Sequence, residues 1–323
     1  MKFKRYQQAT GHDVHIDVPL SNMAIAYRPE GMIGDLIAPV VSVQKQSDSY
    51  WVFAVQDAFR TEDDKRAPGD EAKRISRSIS TDTFFCDNYA LKDHIPYEDL
   101  ENADAATVVT ERSARAEWIK DRLMLNKELR VAQQCTSGSN VGSYSAIASG
   151  WTDYTNADPI ADINTAINNV EDLTGYRPNR IVFGGYAWRH FRENSGVIDR
   201  VYGSAGQGSP TRLVSRENAK AIFEVEQILV GGAYYSSTEE GQAASLSQLW
   251  NDNVLAYYAP MTPNTKRPSF MYSFRWNKIM NMQAEIFQLP RAKAEQVQLG
   301  YYEDEKITGA TLAFLLTGVG SSQ

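Results

Sequence analysis

The pattern of apolar and polar positions changes character along the chain, and each change marks a different kind of element. Residues 1–49 carry short apolar clusters (Ile33, Leu36, Ile37, Val40, Val41, Val43) broken by Pro19, Pro29, Gly31, Gly34 and Pro39. Proline removes a backbone donor and fixes φ, so these breakers exclude a helix and predict an extended arm that ends in a strand. Trp51, Val52, Phe53, Ala54 and Val55 predict one strand; Ile75, Arg77, Ile79, Thr81 and Thr83 predict a second of period two, with Ile75 and Ile79 on one side. Between them, residues 60–74 hold five acids and five bases around Pro68-Gly69. Two readings fit this stretch. One is a long hairpin with a charged tip, which needs a surface to rest on because a lone hairpin is marginal in water. The other is a solvated loop of a single domain.

Residues 103–134 contain neither Gly nor Pro, and Ala114, Trp118, Leu125, Leu129 and Ala132 recur at helical spacing, with Ile119 and Leu123 as a shoulder. A helix of that length reaches about 48 Å and, with a narrow stripe, predicts packing along the back of a sheet. A compact segment follows. Asp158 is a candidate N-cap with Pro159 at the first helical position, and Ile160, Ile163, Ile167, Val170 and Leu173 form one face before Gly175. The turn at Arg177-Pro178-Asn179, the strand Ile181-Val182-Phe183 and a short helix through Trp188 and Phe191 complete a small α/β lobe, which extends to a strand at Ile228-Leu229-Val230. After residue 245 strands dominate: 254–258, 270–276, 282–287 and 296–302, the last with Val297, Leu299 and Tyr301 alternating.

Composition narrows the function classes. The 323 residues are 42% apolar with 17 Tyr, 12 Phe and 6 Trp, too many for a disordered chain, and the net charge of −7 argues against a dedicated nucleic-acid binder. The longest apolar stretch, 310–319, is about half of a membrane span, and no apolar run follows the charged N-terminus, so a soluble cytoplasmic protein is expected. Cys86 and Cys135 form no paired motif, which fits a reducing compartment.

Candidate chemistry is sparse. The sequence has no GxSxG, Walker A, HExxH or dinucleotide-binding glycine motif. His12 and His15 with Asp13 and Asp17 offer too few convergent ligands for a metal. His94 and His190 read as structural or surface histidines, and the glycines of 203–208 read as flexibility, since no lysine follows them. Glu98-Asp99-Leu-Glu101 and Glu303-Asp304-Glu305 could pair as acid and base, yet exposed element ends explain them more simply. No catalytic, cofactor or metal residue is assigned.

The order of elements resembles the major capsid proteins of tailed bacteriophages, the Johnson fold, over nearly the whole chain. Ile37-Ala-Pro-Val-Val41 before Tyr50-Trp-Val-Phe53 is similar to that family's passage from arm to extended loop. Tyr89-Ala-Leu-Lys-Asp-His-Ile-Pro96 resembles the return strand into the spine helix, Thr174-Gly-Tyr-Arg-Pro-Asn-Arg-Ile-Val182 the helix, turn and strand of the axial domain, and Trp250-Asn-Asp-Asn-Val-Leu-Ala-Tyr-Tyr-Ala-Pro260 a strand common in these coats. The resemblance implies an α+β fold with an N-terminal arm (1–49), an extended β-hairpin loop (50–92), a peripheral domain (93–150 and 245–323) with a spine helix at about 103–134, and a compact α/β axial domain (151–244).

It further implies a coat subunit that is no enzyme, needs no cofactor, and assembles with itself through hexamers and pentamers into an icosahedral shell around double-stranded DNA. The expected location is the virion, after assembly in the host cytoplasm. In that setting Glu62, Asp63, Asp64, Lys65, Arg66, Lys73 and Arg74 at the hairpin tip would meet charges of neighbouring copies, and Lys2, Lys4 and Arg5 would touch DNA non-specifically. A separate scaffolding protein and a portal are expected partners, with a decoration protein as a further candidate and no membrane. An encapsulin-like compartment shell is the alternative within the fold, and an enzyme of unknown reaction the alternative outside it.

Overall fold

The computed structural model describes residues 14–16, 31–53, 61, 64–66, 68–69, 71–72, 74–75, 79–102, 104–147, 150–154, 156–203, 213–238, 242–243, 245–264, 267–278 and 281–320. In chain order the elements are β1 (Val14–Ile16), α1 (Gly34–Ile37), β2 (Val40–Val43), β3 (Ser47–Phe53), β4 (Ile79–Phe85), β5 (Asp87–Pro96), α2 (Tyr97–Glu101) and α3 (Ala105–Cys135). There follow β6 (Ser143–Ala146), α4 (Pro159–Thr174), β7 (Arg180–Gly184), α5 (Gly185–Glu193), α6 (Ser195–Tyr202), α7 (Arg216–Phe223), β8 (Gln227–Gly231) and the small hairpin of β9 (Tyr234–Ser236) and β10 (Leu246–Gln248). The chain ends in β11 (Val254–Tyr257), β12 (Met271–Trp276), β13 (Asn281–Leu289), β14 (Ala294–Ile307) and β15 (Ala313–Thr317).

Two larger sheets organise these elements. In one, β1, β13, β14, β12 and β2 lie in that order, and β5 pairs antiparallel with β14 from Ala294 opposite Pro96 to Glu303 opposite Asp87. β5 begins inside the stretch that the sequence assigns to the extended loop, so the free hairpin is confined to β3 and β4. The second sheet has the order β6-β15-β11-β7-β8, so the lobe's sheet draws strands from both sides of residue 245. Period-two alternation splits its side chains cleanly. Ile181, Phe183, Val254, Ala256, Phe314 and Leu316 face a core beneath α4 to α7; Val182, Leu229, Leu255, Tyr257 and Leu315 face a second core shared with Ile33, Ile37 and the end of α3.

Local signals account for several boundaries. Asp158 accepts a hydrogen bond from the Ala161 N–H and Pro159 opens α4, while Gly175, at φ 69°, ends it in the left-handed region that a side chain disfavours. The stretch Trp250-Asn-Asp-Asn253 is a turn: Asn251 sits at φ 45°, the Asn253 amide donates to the Trp250 carbonyl, and the Trp250 ring lies so close to Gly231 that a methyl there would overlap it.

Four expectations need correction. The arm is not free of helix: Gly34–Ile37 makes a single turn with Ile37 fully buried. Ile75 is not part of the second hairpin strand, which is described over Ile79–Phe85; it is 73% exposed, and Arg77 lies outside the described residues. Leu173 is not on the buried face of α4; it is 54% exposed, because the face centres on Ile163, Ala166, Ile167 and Val170. In α3 the shoulder is the centre. Ala116, Ile119 and Leu123 pack on β13 and β14, whereas Ala114 is exposed and Trp118 is 51% exposed; Leu125, Leu129 and Ala132 still meet the second core.

Trp250's seat gives a test of this packing. Gly231→Ala should lower stability by about 1–3 kcal/mol, as overpacking does. Gly232→Ala, whose added carbon would meet nothing closer than 4.0 Å, should unfold at the same temperature as the parent.

Candidate functional site

The helix face that the apolar pattern missed is ionic at both ends. Along β14 alternate residues point at α3, and they read Glu295, Val297, Leu299, Tyr301, Glu303 and Glu305, all buried. Opposite the acidic ends, α3 places Arg112, Lys127 and Arg130. Arg112 grips Glu295 with Nε at 2.6 Å and Nη2 at 2.8 Å; Arg130 grips Glu305 with Nη2 at 2.6 Å and Nε at 3.0 Å, and its guanidinium lies 3.8 Å from the centre of the Tyr89 ring. Such two-point pairs fix orientation as well as distance. Glu303 and Glu305 are therefore not an exposed strand end. Asp304, on the other side of the strand, accepts a hydrogen bond from the Phe85 N–H at 2.9 Å and ties the hairpin root to β14.

At the middle of the molecule two adjacent residues of α3 hold three regions together. Lys127, 1% exposed, donates to Asp35 of the arm and, at 2.9 Å, to Glu303 of β14; Glu303 also accepts from Arg275 of β12 at 3.2 Å. Glu128 turns to the other side. Its Oε2 accepts from the backbone N–H of Ile33 (3.0 Å) and Gly34 (2.6 Å), and its Oε1 accepts from the Trp250 indole at 2.6 Å. A side chain at position 34 would strike this carboxylate, with an added carbon only 2.8 Å from Oε2. Burial pushes the Glu128 pKa up, and its three hydrogen bonds oppose that shift only in part.

The hairpin is anchored at its root and open at its tip. Tyr50 and Phe84 pack on Phe274, the Phe84 ring stacked at 4.6 Å, and Tyr50 donates to Asp82 at 2.9 Å. Trp51 and Phe85 face outwards. Of the tip residues singled out by sequence, Asp64, Lys65, Arg66 and Arg74 are exposed; Glu62, Asp63 and Lys73 lie outside the described residues, as do Lys2, Lys4 and Arg5. His94 is exposed on β5, while His190 is 2.9 Å from the Tyr154 hydroxyl. Of the buried carboxylates, Glu295, Glu303 and Glu305 each face a cation and Glu128 faces three N–H donors, an arrangement that positions chain segments. No group of three or more His, Cys, Asp or Glu suited to a metal occurs among the described residues.

No protein-family model matches the chain. Over 94% of its length it is 25% identical to the major capsid protein of Burkholderia phage BcepMu, covering 96% of that protein, and over 93% it is 24% identical to the major capsid protein of Pseudomonas phage JBD67, covering 95%. A phage-related protein from Bordetella bronchiseptica RB50 shares the fold with TM-score 0.76 and 22% identity, over 95% of this chain and 98% of that one. The capsid of cyanophage P-SCSP1u (TM-score 0.55, 13% identity, 90% and 89% covered) and the mature capsid of bacteriophage PhiM1 (0.53, 12%, 91% and 90%) share it too.

The ladder predicts an order of stabilities in chemical denaturation. Glu303→Gln should cost on the order of 3–5 kcal/mol, since it leaves Lys127 and Arg275 buried against a neutral group. Lys127→Met should cost less, because Arg275 still faces Glu303. Glu128 sets a pH dependence of defined sign. A carboxyl whose folded pKa lies above the unfolded value of 4.5 binds more protons folded than unfolded in the window above 4.5, so its contribution falls as pH rises there. Glu128→Gln should abolish that fall and, by setting an amide NH2 against an N–H donor, cost about 1–3 kcal/mol.

Proposed function

We infer that this chain is a major capsid protein of the tailed-phage type, the subunit from which an icosahedral shell is built around double-stranded DNA. The observation that carries this is the coincidence of two likenesses, one of sequence and one of fold, each running over nine-tenths or more of the chain. The sequence likeness is to coat proteins, which favours a genome shell over an encapsulin-like compartment.

The protein is a structural subunit with no catalytic role. It assembles with itself as hexamers and pentamers in the host cytoplasm and ends in the virion, with a separate scaffolding protein and a portal as partners. The lobe of residues 151–244 acts as the axial domain, and the sheet backed by α3 as the peripheral one. The hairpin supports this reading: its root is packed on its own body, while its tip is exposed and densely charged with both signs. Glu62, Asp63 and Asp64 meet bases of a neighbouring copy, and Lys65, Arg66, Lys73 and Arg74 meet acids. Each exposed pair contributes only about 0–1 kcal/mol, weak enough for misplaced subunits to detach. The net charge of −7 suits a container that repels its duplex and does not grip it, with Lys2, Lys4 and Arg5 as the local exception.

Electron microscopy and light scattering of the expressed chain should reveal capsomers or shells; a 36 kDa species that stays monomeric with its scaffold present would refute the reading. Arg66→Glu, Lys73→Glu and Arg74→Glu together should reduce particle yield and leave the subunit's melting temperature unchanged.

A further inference from the structure

The α/β lobe carries two exposed features that its own packing leaves unexplained, on opposite halves of its sheet. Beside β7 and β8, Arg189 of α5 lies over the Tyr186 ring at 5.2 Å and reaches the Tyr234 hydroxyl at 3.5 Å. Tyr234 is itself held by the Gln248 amide at 2.6 Å, and Gln248 sits so tightly on Gly185 that a methyl there would collide with it. The result is a rigid patch of two half-open tyrosines and an arginine, bordered by Leu246, which is 68% exposed. Arg189 has no carboxylate partner among the described residues, and the Oε1 of Gln248, in a residue only 8% exposed, has no donor. Pre-ordered Tyr and Arg beside an open apolar side chain are the composition of an interface hot spot.

Beyond β11, where α4 lies over β11 and β15, the C-terminal turn of α4 presents the reverse. Leu173 is exposed next to Asp172, an exposed carboxylate with no cation partner among the described residues. Glu171, its neighbour, is already paired with Arg177.

We propose that the Tyr186–Arg189–Tyr234 patch of one copy receives the Asp172–Leu173 turn of α4 of a second copy, Arg189 pairing with Asp172 and Leu173 packing on the tyrosines and Leu246. The two surfaces differ and lie on opposite halves of one lobe, so the contact is heterologous: each copy offers a donor surface to one neighbour and an acceptor surface to the next, and repetition builds a ring where the rotation per copy closes, as the coat-protein reading requires. This rests on the coat-protein reading, and it assigns the contact that joins lobes around a capsomer axis.

The test uses the full chain, with native mass spectrometry and electron microscopy reading ring-sized species, and circular dichroism confirming the fold. Arg189→Glu and Asp172→Arg should each lower the yield of rings about tenfold, as loss of one close charge pair at an interface can. The double variant Arg189→Glu with Asp172→Arg should recover them. Rings at parental yield in both single variants would overturn the contact while leaving the coat reading intact, as would a folded double variant that fails to recover. A parent chain that forms no rings or shells even with its scaffold present would remove the coat reading, and the contact with it.

Discussion

The placement of the arm, the sheet of β14 and the Trp250 turn depends on two neighbouring ionisable residues buried on one helix. Lys127 and Glu128 project from α3 in different directions, the first to the arm and the sheet of β14, the second to the arm and the Trp250 turn. A buried ion cannot tolerate a missing partner, so each bond is a condition on where the partner's backbone must be. Apolar contact is non-directional and so constrains the register of α3 on β14 less sharply than a paired charge does. With Arg112 on Glu295 and Arg130 on Glu305, separated by eighteen residues of helix and ten of strand, only one register satisfies both ends.

Glu128 shows how such a residue serves the backbone. The first N–H groups of α1 have no partner within their own turn, and no capping side chain precedes them. Glu128 supplies the acceptor from 94 residues away in sequence, at a position where only glycine leaves it room. That bond explains why a stretch rich in breakers still turns once as a helix. The breakers describe what the arm cannot do alone, and the helix is stabilised from outside.

The same logic separates what the sequence made legible from what it hid. The long helix, the Asp158-Pro159 start and Gly175 stop of α4, and the alternation of Val297, Leu299 and Tyr301 are local, set by backbone chemistry within a few residues, and they stand in the structure where the pattern put them. The buried face of α3 was hidden because hydrophobic periodicity scores Lys127, Glu128 and Arg130 as solvent-facing, which rotates the apparent stripe towards Ala114 and Trp118. Glu303 and Glu305 were misread for the matching reason: a buried carboxylate is recognisable only once its cation, some 175 residues away, is in view. The likeness to coat proteins was legible through element order, which local patterns carry without any knowledge of the paired charges.

Two scales of ionic interaction then divide the labour between the subunit and its contacts. Inside, pairs such as Lys127 with Glu303 are dry and little affected by salt, and breaking one by removing a partner costs about 3–5 kcal/mol. The described charges of the hairpin tip, Asp64, Lys65, Arg66 and Arg74, are exposed; in the proposed shell, pairs made there would contribute about 0–1 kcal/mol each and be screened at the ionic strength of the cell. On that proposal, a rise in salt dissolves contacts between copies long before it loosens the arm from α3. If the chain is the proposed coat subunit, this hierarchy lets it leave a wrong position with its own shape intact and be offered again to the growing edge, which is what correcting errors in a shell of many identical parts requires.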